Sequence, residues 1–100
     1  MGRVEVLGVR VYPSSIHVTI TNLSNKACQV STAIVDSERG TMIAETPSPY
    51  PIAPHETRNI KCPYNPSRSP ELGKSCIVRL AVAPEGEEGF TVEREFKWSY

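Results

Sequence analysis

The stretch Ile16-His17-Val18-Thr19-Ile20-Thr21-Asn22-Leu23-Ser24-Asn25-Lys26-Ala27-Cys28-Gln29-Val30 decides the fold class. In an extended chain Ile16, Val18 and Ile20 lie on one face and His17, Thr19 and Thr21 on the other. That period of two, built from β-branched residues, predicts a half-buried strand. Asn22, Ser24 and Asn25 supply turn chemistry. A second strand then starts, with Cys28, Val30, Thr32 and Ile34 on one face. Two strands that each bury one face need another layer to cover them, which points to an antiparallel sandwich.

The rest of the chain continues the pattern. A first strand is expected over residues 3–12. Its apolar parity changes from Val4 and Val6 to Val9 and Val11, so a bulge at Leu7-Gly8 is needed to keep the register. The second strand spans 15–23 and the third 27–36. Ser37-Glu38-Arg39-Gly40 is a turn before a short strand at 41–45. Thr46 to Pro51 holds three prolines, which remove ladder donors, so this run is expected to lie extended across an end or edge. Residues 52–62 form a loop leading into a strand, and 63–74 a long polar loop. Strands at 75–83 and 90–98 close the set, joined by an acidic turn, Pro84 to Gly89. Arg94 interrupts the apolar face of the last strand, which calls for a carboxylate partner or an edge position. The expectation is one all-β domain over residues 1–100, a seven-stranded antiparallel immunoglobulin-like sandwich of the fibronectin or CARDB kind.

Composition excludes several function classes. Eleven basic and eleven acidic residues cancel, so there is no charge excess for nucleic acid or anionic lipid. No run of 18 apolar residues is present to insert in a membrane, and Met1 to Glu5 carries no apolar h-region. No nucleophile elbow, His-Glu-x-x-His pair or glycine-rich phosphate loop occurs, so the expectation is not an enzyme and no cofactor. His17 and His55 are isolated and the cysteines are widely spaced, which argues against a metal site. Glu85, Glu87 and Glu88 flank a glycine turn and read as solvated loop charge.

Four segments recur as a familiar pattern: VTITNLSNKACQV (18–30), AIVDSERG (33–40), PIAPHETRNIKC (51–62) and GKSCIVRLAVAPEG (73–86). Together they resemble the soluble sandwich domains of archaeal type IV pilin-like proteins, including the stator-like accessory proteins of the archaeal flagellum, and CARDB-type adhesion modules. The resemblance implies a structural domain at the cell surface that binds an envelope partner or its own copy. A cytoplasmic location, with an intracellular or virion interaction role, is the other setting the sequence allows.

The remaining candidates are local. Cys62 and Cys76 flank the long polar loop, and a disulfide between them would stabilise by about 3 kcal/mol; three reduced, buried thiols are the alternative. Asn22-Leu23-Ser24 is a glycosylation sequon at a turn. Tyr50, Pro51, Pro63, Tyr64 and Pro66 form an aromatic and proline cluster suited either to partner contact or to capping the core. Phe96 to Tyr100 is a second such candidate. A free edge strand, the first or the last, offers pairing with a protein partner or a second copy. An accessory carbohydrate- or ligand-binding module is the alternative function, and it needs aromatics along one exposed face.

Overall fold

A computed structural model describes residues 3–100. Eight strands form two antiparallel sheets: β1 (Val4–Val11), β2 (Ser15–Asn22), β3 (Cys28–Asp36), β4 (Met42–Glu45), β5 (Tyr50–Ile52), β6 (Thr57–Pro63), β7 (Ser75–Pro84) and β8 (Phe90–Lys97). One sheet has the order β1-β2-β6. The other has β4-β3-β7-β8, with β5 also paired to β3. The all-β sandwich is therefore as expected, with one strand more than seven. The extra strand is β5, where the proline-rich run ends by pairing Tyr50 and Ile52 with Val30 and Cys28. It lasts three residues, because Pro47 and Pro49 before it offer no ladder donor.

The core is what the alternation specified. Ile16, Val18 and Ile20 of β2 face Val30 and Ile34 of β3 and Val78 and Leu80 of β7, all without measurable exposure. Burying each such side chain contributes roughly 1.5–3 kcal/mol. The β1 register shifts between Val6 and Gly8, the bulge the parity change required. It returns Val11 to the buried face beside Val4 and Val6.

Side chains clamp both open sides of the sandwich. Arg94 on β8 donates through Nη1 to the Val6 carbonyl of β1. Val6 pairs with Ile20 just before the register shift, on a strand that ends its sheet. β8 ends its sheet, the edge position expected for Arg94, and in place of a carboxylate the guanidinium meets a backbone acceptor on the facing sheet. On the other side, Arg58 of β6 donates to the Pro51 carbonyl of β5 at 2.8 Å, and an isolated bridge joins Ala44 to Tyr64.

Asn22 ties the sheets at one end. Its side chain is wholly buried. Its Nδ2 donates to the carbonyls of Lys26 (2.8 Å), Ala53 (3.2 Å) and Ile52 (3.4 Å), and its Oδ1 accepts from Ser24 N (3.0 Å) and Ser24 Oγ (2.7 Å). The expectation of a glycan at Asn22 is corrected here. The amide nitrogen that would carry it is enclosed and fully engaged, and only Leu23 of the sequon is exposed.

One buried polar group is left over. Thr32 points into the core at 2% exposure, and its Oγ1 has no hydrogen-bond partner. Its backbone is satisfied, because Thr46 Oγ1 accepts from Thr32 N at 3.1 Å and Thr46 N donates to Thr32 O at 2.9 Å. Thr32→Val keeps the shape and removes the orphaned hydroxyl. It should raise the urea midpoint, by up to about 1 kcal/mol of stability; a lower midpoint would mean the hydroxyl has a partner.

Candidate functional site

The residues singled out in the sequence divide between core and surface. Tyr64 is buried, 8% exposed, and its ring meets Trp98 edge-on at 5.3 Å between centroids. Its hydroxyl donates to the Tyr12 carbonyl at 2.6 Å, and its backbone N–H to Ser14 O at 3.1 Å. Tyr64 therefore fastens the end of β6 to the β1–β2 turn, and the expectation that it contacts a partner is corrected. Trp98 is likewise core, its Nε1 donating to Tyr100 O at 2.7 Å, while Tyr100 is exposed. Pro63 and Pro66 are exposed; Pro66 opens a short 3-10 turn, Pro66–Arg68, capped by Asn65. Tyr50 is half-buried against the core and Pro51 is exposed.

The three cysteines are free, buried thiols, so the Cys62–Cys76 bridge is not formed. The physical reason is layer geometry. Cys62 pairs with Ile16 in the three-stranded sheet and Cys76 with Phe96 in the other. The two thiols therefore sit on strands of opposite sheets rather than on paired neighbours. Burial pushes the Cys62 thiol up to about 11, and burial with the nearby Asp36 carboxylate does the same for Cys76. Burial also raises Cys28. Protonated thiols are poor nucleophiles.

The histidines lie on different surfaces. His17 is on the outward face of β2, and His55 sits in a loop at φ 61°, bonded to Asn25 Oδ1 at 2.8 Å. In the acidic turn Glu87 pairs with Lys26 at 3.2 Å. A depression of about 540 Å³ opens between the β3–β4 turn and the loop after β6. Its charges balance: Asp36, Glu38 and Glu71 against Arg39, Arg68 and Lys74. Lys74 and Glu38 pair directly at 3.0 Å.

The surface that stands out is the outer face of the five-stranded sheet. Register places Ala33 beside Arg79, Ser31 beside Ala81 and Gln29 beside Ala83, with Val35 next to Ile77. Apart from Gln29 and Arg79, which pairs with Glu93 at 2.6 Å, these outward positions are small or apolar, and Val35 is only 8% exposed. Pro47, Pro49 and Pro51 stand exposed along one side. They wall shallow depressions of about 390 and 280 Å³ over Ser31 and Ala81. At the sheet end these meet an apolar groove of about 480 Å³ lined by Cys28, Pro51, Ile52, Ala53 and Ala83. Of the expected contact residues, Pro51 belongs to this face. The alanines were missed. Their signal was present in β7, where Ile77 to Ala83 is apolar at every position but Arg79. Near-continuous apolar runs mark strands covered on both faces.

No family model and no curated protein matches this chain. Among solved structures, a beta-glucuronidase from glycoside hydrolase family 2 is similar, with a TM-score of 0.52 at 15% identity. The match covers 95% of this chain and 11% of that one, so the chain spans about a tenth of that enzyme's length. At this identity the likeness is one of fold: an all-β sandwich domain.

Two outcomes follow from the burial pattern. Tyr64→Phe should lower unfolding stability by about 1 kcal/mol through loss of one hydrogen bond, and Tyr64→Ala by about 3–5 kcal/mol, both read by urea denaturation. The native thiols should resist maleimide at pH 8 and react only as the protein unfolds; prompt labelling of Cys62 or Cys76 would contradict their burial.

Proposed function

We propose that this domain is a non-catalytic contact module that holds a protein partner, or a second copy of itself, against the outer face of its five-stranded sheet. The observation that carries this reading is the set of small and apolar outward positions Val35, Ile77, Ala33, Ala81 and Ala83, crossed by the Arg79–Glu93 ion pair and bordered by three exposed prolines. An outward sheet face facing only water is ordinarily polar, as the face of the smaller sheet is. Contiguous apolar surface is characteristic of interaction sites.

Edge pairing, the other route to association, is less favoured. β4 and β5 are short and separated by prolines, and Arg68 donates to the Met42 carbonyl of β4 at 3.3 Å. Arg94 covers the β1 edge and points its charge inward from β8. Short strands, prolines, bulges and inward charges are the usual devices against edge addition. The setting we propose is the cell envelope, as the likeness to pilin-like and archaeal-flagellum accessory domains implies.

A photo-crosslinking residue placed at position 81 should capture one discrete partner in the source cell, and the same residue at position 5, exposed on the opposite sheet, should not. With the crosslinker at position 81, Ala83→Glu on the same exposed face should abolish that capture while moving stability by no more than about 0.5 kcal/mol, as a surface change does. Equal capture from both positions would remove the face from consideration.

A further inference from the structure

A second surface, independent of the contact face, lies on the opposite side of the molecule. The β1 bulge leaves Gly8 opposite Thr19, and Thr19 opposite Asn59. The adjoining row is Arg10, His17 and Lys61. Gly8, Arg10, Tyr12, His17, Thr19 and Asn59 line a depression of about 320 Å³. From these residues we infer a binding site for a short anionic saccharide, a sugar carrying a carboxylate or sulfate group.

The site is organised before any ligand arrives. Tyr12 is held from both sides of its backbone: its N–H donates to Ser15 O at 2.8 Å, and its carbonyl accepts the Tyr64 hydroxyl at 2.6 Å. Its ring, in a residue 39% exposed, rests on the His17 imidazole with centroids 4.5 Å apart. Ser15 Oγ in turn fixes that imidazole through Nε2 at 3.3 Å. Groups held in place in the free protein lose little entropy on binding.

The chemistry on offer is specific. Arg10, Thr19 and Asn59 make no side-chain hydrogen bonds to the protein among the described residues, so their polar atoms face solvent. The two rows hold the cations Arg10 and Lys61 and no carboxylate. Glu5, the acidic residue of this face, lies further along beside Thr21. A guanidinium suits the paired oxygens of a carboxylate or sulfate. The Asn59 amide both donates and accepts, and the Thr19 hydroxyl does the same, which matches neighbouring sugar hydroxyls. The flat Tyr12 ring offers apolar contact with a polar rim, suited to the C–H face of a sugar ring. Arg10 in the depression and Lys61 beside it fit one or two anionic groups rather than the many phosphates of a nucleic-acid backbone.

Gly8 gives a clean test. A Cβ added there meets no atom within 4 Å, and its φ lies outside the left-handed region. Gly8→Leu therefore fills the depression without straining the strand. The probes are an oligogalacturonate, a heparin-derived tetrasaccharide, maltotriose and inorganic sulfate, each titrated at millimolar concentration while backbone amide shifts are followed. Saturable shifts at residues 8–12, 17–19 and 59–61 with either anionic saccharide are expected, and which of the two binds more tightly assigns carboxylate or sulfate. Gly8→Leu and Arg10→Gln should each weaken binding by about tenfold or more, the loss of roughly one charge-assisted contact, with the spectrum otherwise native. Lys97→Gln, on the opposite sheet, should leave it unchanged. The proposal is overturned by an absence of saturable shifts with both anionic saccharides, by an equal response to maltotriose or to sulfate alone, or by wild-type binding in Gly8→Leu.

Discussion

A single buried amide joins the two halves of this sandwich. Asn22 ends the central strand of the small sheet, and its side chain binds carbonyls from the β2–β3 turn and from the segment after β5. A buried amide with unmet hydrogen bonds would cost several kcal/mol, so its satisfied geometry dictates how the turn and that segment meet. β2 itself buries Ile16, Val18 and Ile20 completely. The strand thus enters the core with its apolar face and leaves it through a polar knot that lies beside the Cys28–Ile52 end of the β3–β5 pairing.

The closure of the two sides follows the same logic. A sandwich of three strands over five leaves edges, and an edge carbonyl without water or a partner is unfavourable. Three arginines, Arg58, Arg68 and Arg94, each cover one such carbonyl. Arg58 and Arg94 reach from one sheet to the other, so each also stitches the layers. Each of these contacts removes one edge carbonyl from those that another strand could pair with.

The two outer faces differ in kind. The small sheet presents threonine, asparagine, arginine and histidine, arranged around a bulge. The large sheet presents alanine, valine and isoleucine beside exposed prolines, with the Arg79–Glu93 ion pair among them. The first is suited to a polar, hydrogen-bonding ligand and the second to a close-packed partner. This separation fits a module whose two surfaces work independently, with the core and its clamps holding both rigid.

The sequence by itself determined the local conformations, because strand alternation, turn residues and proline placement are properties of neighbouring residues. The strand order along the chain, the bulge at Leu7-Gly8 and the inward sets on β2, β3 and β7 were all legible that way. What only the tertiary structure decided are the partners of side chains far apart in sequence. Asn22 read as an exposed turn residue until Ile52 and Ala53, some thirty positions on, came to enclose it. Tyr64 read as a loop aromatic until Tyr12 and Trp98 closed around it. Cys62 and Cys76 read as near neighbours across a loop, yet the chain crosses between sheets there and each thiol stays free. Burial, charge satisfaction and cross-sheet distance are set by the whole packed molecule, and no local pattern carries them.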